Sequence, residues 1–250
     1  MLVSNILINV VVLILLTLVG GLLPLIERKY LSLIQRRVGP TFVGYKGRLQ
    51  FIADALKMFL KGCIIPNQLN SFFFFLFPVF TLFLCYLNWL NIFWDLNLIY
   101  LELEYNIVYA TIVSFFINAS IALTGIYAKN KYAMLGAIRS LMMLFCLELL
   151  LGIFFLCIYV QLNSFNYTLS IVIQSEYPYF TIFFLICSLV IILILLDLNR
   201  IPYDFAEAEN ELIAGFHVEY GAFLFGLFYL SEYFHLFFFS LIINILLIGL

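Results

Sequence analysis

The residues best placed for acid–base chemistry lie between Asp197 and Glu219, where the chain reads DLNRIPYDFAEAENELIAGFHVE between two long apolar runs. Asp197, Asp204, Glu207, Glu209, Glu211 and Glu219 stand there against a single Arg200. Pro202 suits the first turn of a helix, because its φ is preset and its missing N–H needs no partner there. On such a helix Asp204, Glu207 and Glu211 fall on one face. Like charges at that spacing repel, by a few tenths of a kcal/mol each in water and by more where water is scarce. A low-dielectric site would respond by holding protons that the group can exchange. The alternative is a solvated acidic loop at a helix end, and these residues alone leave both readings open.

Two further carboxylates, Glu148 and Glu232, sit inside apolar runs. A carboxylate in lipid is costly unless it faces protein or water, so each is expected to be either a proton-relay group or a hydrogen-bonded buried acid. Asp95, Glu102, Glu104 and Glu176 fall near run ends and read as solvated. His217 could titrate near neutral pH or serve as a hydrogen-bonded structural residue, and His235 is open in the same way. Cys63, Cys85, Cys146, Cys157 and Cys187 are scattered, with no CxxC pair and no His at ligand spacing, so neither a metal nor a disulfide is expected.

The elements that must position these groups follow from composition. The 250 residues are 66% hydrophobic, 19% aromatic and 10% charged, with mean hydropathy +1.14. A soluble domain of this size carries about a quarter charged residues, so the chain is read as an integral membrane protein, all-α because lipid leaves backbone groups no outside partners. Six spans are predicted in a single membrane domain covering residues 1–250: about 2–26, 72–94, 104–127, 141–161, 177–196 and 220–250, with an acidic functional loop over 197–219. The connections between them give an independent check. The first, third and fifth contain all 12 Lys and Arg residues, and the second and fourth contain none. The positive-inside rule therefore puts the basic connections on the cytoplasmic or matrix side. Within the first connection, Leu49, Ile52, Leu56, Phe59 and Leu60 recur at helical spacing, which predicts an amphipathic surface helix over about 48–61. It would lie on the membrane or pack against another subunit. The abundance of Phe, Tyr, Ile and Asn fits an AT-rich, organellar coding sequence.

Three motifs carry a resemblance. The first is IERKYLSLIQRRVGPTFVGYKGRLQFIADALKMFLK at residues 26–61, the second KNKYAMLGAIRSLMMLFCLE at 129–148, and the third NRIPYDFAEAENELIAGFHVEYG followed by LSEY. In that order and at that spacing they resemble the quinone-site membrane subunits of respiratory complex I. The third is the most specific. The likeness covers essentially the whole chain, although between the motifs only hydropathy matches. Asp197 stands where the family has Glu, His217 replaces its usual Asn, Thr41 and Phe42 replace Asn-Val, and Tyr45 replaces Pro.

The resemblance implies a subunit of a proton-pumping NADH:ubiquinone oxidoreductase with no redox centre of its own. Ubiquinone would be the substrate, and NADH, FMN and iron–sulfur clusters would belong to partner subunits. Glu27, Arg28, Arg37, Asp54, Lys57, Arg200, Asp204 and Phe216 match the quinone chamber. Glu148, Asp197, Glu207, Glu209, Glu211, Glu219 and Glu232 match the proton path. Expected partners are a hydrophilic iron–sulfur subunit on the basic connections, antiporter-like membrane subunits and the lipid bilayer, with no nucleic acid. The family usually has eight membrane helices. The reading of six spans here leads to the expectation that a separate chain supplies two more. The expected location is the mitochondrial inner membrane with basic loops facing the matrix, or else a bacterial plasma membrane. The rival readings are a membrane subunit of an energy-converting hydrogenase, a secondary transporter, and an anchor for a hydrophilic arm. No inverted repeat supports a transporter, and an anchor leaves Glu148 and Glu232 unexplained.

Overall fold

A computed structural model describes residues 2–66, 69–90, 105–162, 167–174, 184–200, 203–206 and 212–248. All regular elements among them are helices: α1 Leu2–Ile34, α2 Gln50–Leu60, α3 Ser71–Leu90, α4 Asn106–Tyr127, α5 Lys131–Leu162, α6 Tyr167–Gln174, α7 Phe184–Asp197 and α8 Ala222–Ile243. A 3-10 turn at Gly215–His217 precedes α8, and a π-helical turn at Asn244–Ile248 follows it. Five of these helices are long and apolar enough to cross a membrane. The predicted span at 177–196 is described from Phe184 onward, where its apolar part is Cys187–Asp197. The all-α, multi-pass membrane class read from the apolar runs is the observed one.

Some helices run further than apolar length alone suggests. α1 continues to Ile34, through Glu27, Arg28 and Lys29, and stops where Arg36 takes a left-handed conformation (φ 53°) and the Arg37 N–H bonds back to Ser32 O at 2.9 Å. Gly39 and Pro40 follow, so the helix has nowhere to continue. α5 begins at Lys131 and takes in Arg139. Its 32 residues span about 48 Å, longer than a hydrocarbon core of about 30 Å.

Contacts gather the chain into two compact units. The first joins Met1–Ile65 to Tyr220–Phe234, and the second joins Pro66–Glu219 to His235–Leu250. In the first, α1 and α2 pack together with the first half of α8. α2 touches its neighbours through Met58 beside Gly226 and Phe59 against Phe223, with ring centroids 4.9 Å apart. Its Ile52, Leu56 and Leu60 remain exposed, so the apolar stripe read from the sequence is uncovered. In the second unit, α4 packs between α3 and α5, and α5 also packs on α7. Gly136 of α5 is where the chain after α7 lies against the bundle. A Cβ there would sit 3.0 Å from both Ala206 O and Phe216 N, which is too close for backbone atoms that cannot rotate away.

Candidate functional site: two carboxylate clusters

The first cluster is built on α1 and α2. Arg28 and Asp54, 26 positions apart, form an ion pair of 2.6 Å, and Gln50, one turn before Asp54, donates to its other oxygen at 3.0 Å. The pair is partly open, with side-chain exposures of 45% and 30%. Partial burial pushes the Asp54 carboxyl up. The hydrogen bonds from Arg28 and Gln50 and the charges of Arg28 and Lys57 overcome that effect, holding it below the usual carboxylate range. At the position just before Arg28, about 100° round α1, Glu27 accepts a hydrogen bond from the hydroxyl of Tyr233, which itself lies 3.2 Å from the hydroxyl of Tyr229. Lys29 donates to Lys46 O at 2.7 Å, tying α1 to the glycine-rich connection. There Gly47, at φ 71°, passes so close to Pro40 that a Cβ would fall 2.0 Å from its carbonyl oxygen. Acid, base and amide groups are thus collected on the face of α2 that meets α1, opposite the uncovered apolar stripe.

The second cluster is built on α4, α5 and α7. Asn118 of α4 donates through one amide nitrogen to two carboxylates, Asp197 Oδ1 at 2.6 Å and Glu148 Oε1 at 3.4 Å. An amide nitrogen carries two hydrogens, so both bonds can exist together. The Ser114 hydroxyl, one turn earlier on α4, lies 3.3 Å from Glu148 Oε2 and 2.8 Å from Thr111 O. α7 ends at Asp197 because Asn199 adopts a left-handed conformation (φ 47°), and Leu198, Asn199 and Arg200 bond back to the last turn. Asp197 is 4% exposed. Its Oδ2 and the Oδ1 of Asn199 are buried with no hydrogen-bond partner among the described residues. Both residues line a cavity with ≈10 Å³ of room for water, together with Asn118 and Ser140. That volume is about one molecule. The arrangement holds two carboxyl groups on one amide, with neutral donors rather than cations facing them.

Comparison with known proteins bears on what these clusters serve. The family model described as NADH dehydrogenase matches residues 6–250. A protein of Paramecium tetraurelia named NADH-ubiquinone oxidoreductase chain 1 is 46% identical over 241 residues, covering 96% of this chain and 92% of that one. The chain belongs to the NADH dehydrogenase family. Proteins of the same name from Podospora anserina and Chondrus crispus are 39% and 36% identical, over 89% and 92% of this chain. The chain spans 61% of the Podospora protein and 71% of the Chondrus protein.

The structure brings Glu27, Arg28, Asp54 and Lys57 of this family member into the first unit, with Arg37 exposed beyond the end of α1 and Glu232 half-buried on α8. In the second unit, Asp197 and Glu148 meet through Asn118, and Glu219 accepts from the Asn130 side chain at 2.7 Å. Arg200 and Asp204 are half-buried. Phe216 is 1% exposed, its ring centroid 3.7 Å from that of His217, in the turn packed on α4 and α5. Glu207, Glu209 and Glu211 lie outside the described residues. Sequence reasoning missed Asn118, Ser114, Asn130 and Tyr233. For the first two a signal existed: polar residues four apart inside the apolar α4 define a polar stripe, which a membrane helix turns toward protein.

Proposed function

We propose that this chain forms the quinone chamber and the start of the proton path in the membrane part of an NADH:ubiquinone oxidoreductase. The supporting relatives are all named for that enzyme. The observation that carries the reading is the ion pair that fixes Arg28 of α1 to Asp54 of α2, a helix whose opposite face leaves Ile52, Leu56 and Leu60 uncovered. An isoprenoid tail is apolar and fits the stripe, while a quinone head needs hydrogen-bonding and charged groups of this kind. Arg37, Lys57, Arg200, Asp204 and Phe216 complete the chamber in this reading.

Electrons come from a neighbouring hydrophilic subunit, because the chain has no flavin fingerprint, cysteine cluster or haem pair. That subunit carries the terminal iron–sulfur cluster and docks on the basic connections, and NADH and FMN lie further along the same arm. Adding two electrons to a quinone requires two protons. The charge imbalance acts on Asp204, Glu207, Glu209 and Glu211, and Glu219, Asp197, Glu148 and Glu232 pass it on as protonation changes toward antiporter-like subunits. The complex sits in the mitochondrial inner membrane with the basic connections facing the matrix, which agrees with the eukaryotic sources of the relatives.

The test is NADH-driven ubiquinone reduction by the purified native complex containing this chain, with and without a quinone-site inhibitor. Inhibitor-sensitive reduction is expected. Hydrogen evolution without that activity, or ion transport by the chain alone, would overturn the proposal. Glu207→Gln or Glu211→Gln should impair both quinone reduction and proton pumping, and retention of both activities would remove these acids from the path.

A further inference from the structure

The second cluster contains a group that no assignment above uses, Asn118. Its single amide nitrogen serves both carboxyls, at 2.6 Å to Asp197 and 3.4 Å to Glu148, so their two oxygens lie no further apart than those two bonds laid end to end. No ion pair of either acid occurs among the described residues. The Ser114 hydroxyl has one hydrogen and two acceptors in reach, Thr111 O at 2.8 Å and Glu148 Oε2 at 3.3 Å, so it donates to Glu148 when that group is the anion and can accept from it when it is protonated.

These contacts define two arrangements of one proton. In the first, Glu148 is neutral and donates to Ser114, while the shorter Asn118 bond supports the anion of Asp197. In the second, the proton has moved: the O–H bond at Glu148 has broken, one at Asp197 has formed, and Asn118 supports the anion of Glu148 instead. Charge and atoms balance, with one water between the two carboxyls as the relay. The buried Asp197 Oδ2 has no hydrogen-bond partner among the described residues, and Asp197 and Asn199 both line the water-sized cavity.

We propose that Asn118 is a positioning residue for proton exchange between Glu148 and Asp197, holding the two carboxyls on one amide and stabilising whichever is the anion. This inference rests on the proton-path reading of those acids. It adds a neutral residue from a third helix, α4, whose removal changes no charge.

The experiment compares Asn118→Leu, Asn118→Ser and Glu148→Gln in the assembled complex. NADH oxidation by an artificial acceptor reports assembly, and NADH-driven proton pumping reports coupling. Redox-induced infrared difference spectra report the carbonyl band of protonated carboxyls. Asn118→Leu matches the side chain in size and removes both donors. It should lower coupled turnover roughly 10- to 100-fold, as misplacement of reacting groups does, and should shift or abolish the carboxyl band that Glu148→Gln also alters. Asn118→Ser keeps one donor hydrogen and should fall between. If Asn118→Leu fails to assemble, Asn118→Ser decides: a parental band and parental pumping overturn the proposal, and loss of both in an assembled complex supports it. An unchanged Asn118→Leu complex beside an inactive Glu148→Gln complex overturns the role of Asn118 alone. Full activity of Glu148→Gln overturns the proton-path reading itself.

Discussion

The two carboxylate clusters use the same residue types and solve the problem of charge differently. In the first, Asp54 is answered by a cation, Arg28, with Lys57 near and Gln50 adding a hydrogen bond, and the group remains partly open. In the second, two acids meet no cation among the described residues and are held by an amide and a hydroxyl. A partly exposed ion pair loses little solvation and gains little, about 0–1 kcal/mol. Two close acids without a cation, one of them buried, hold two negative charges only at high cost. The first cluster is suited to binding and orienting a polar head, and the second to exchanging protons.

Neutralising the acid at the end of α7 should break this contrast most sharply. Asp197→Asn leaves the Asn118 amide facing another amide and removes one of the two exchange partners. Coupled turnover is expected to fall by roughly 100-fold, the scale of losing a positioned proton-transfer group. Proton pumping per NADH oxidised in reconstituted vesicles measures it. The packing that holds the second cluster should be nearly as sensitive. Gly136→Leu places a side chain against Ala206 O and Phe216 N and should cost about 1–3 kcal/mol or more through overpacking. The yield and thermal stability of the assembled complex report it, whereas Gly152→Leu, where an added Cβ meets nothing within 4 Å, should be mild by the same assay.

In the first cluster the effects should be smaller. Tyr233→Phe removes one hydrogen bond to the Glu27 carboxylate, worth about 1.5–3 kcal/mol for a charged acceptor. It should weaken the first unit without changing the infrared carboxyl band of the second. The smallest effect is expected from Arg28→Ala, within about 1 kcal/mol at neutral pH and diminishing with salt. Its pH dependence has a definite sign. The folded-state pKa of Asp54 is depressed, so the contribution of the pair is fully present above the unfolded carboxylate pKa, about 3.9, and disappears as pH falls through the lower folded value. Chemical denaturation of the parent and Arg28→Ala should converge at acid pH and differ slightly at neutral pH. A difference that grows on acidification would contradict the ion-pair account.

Much of the architecture was legible in the chain before folding. Apolar runs of sufficient length determined the helical, membrane-spanning class, because lipid gives an unpaired backbone no alternative. The hydrophobic periodicity of residues 49–60 indicated a separate surface helix, and the three motifs pointed to the family. Helix ends were less legible. Glu27 and Arg28 continue α1, and Lys131 and Arg139 belong to α5, because charged residues at the membrane edge do not stop a helix. Local turn geometry stops it, as at Arg36 and Asn199.

By itself, then, the sequence determined composition, helix class, the list of acids inside apolar runs and the family. Only the tertiary structure decided which acids meet. Arg28 finds Asp54 across 26 positions and Asn118 finds Asp197 across 79, separations at which no period or spacing constrains contact. The physical reason is that helical periodicity assigns a residue to a face of its own helix, whereas the partner across that face is selected by how the helices pack. In the second unit, the packing of α5 on α4 and α7 and the close seat at Gly136 make that selection, and they place a neutral amide between two acids.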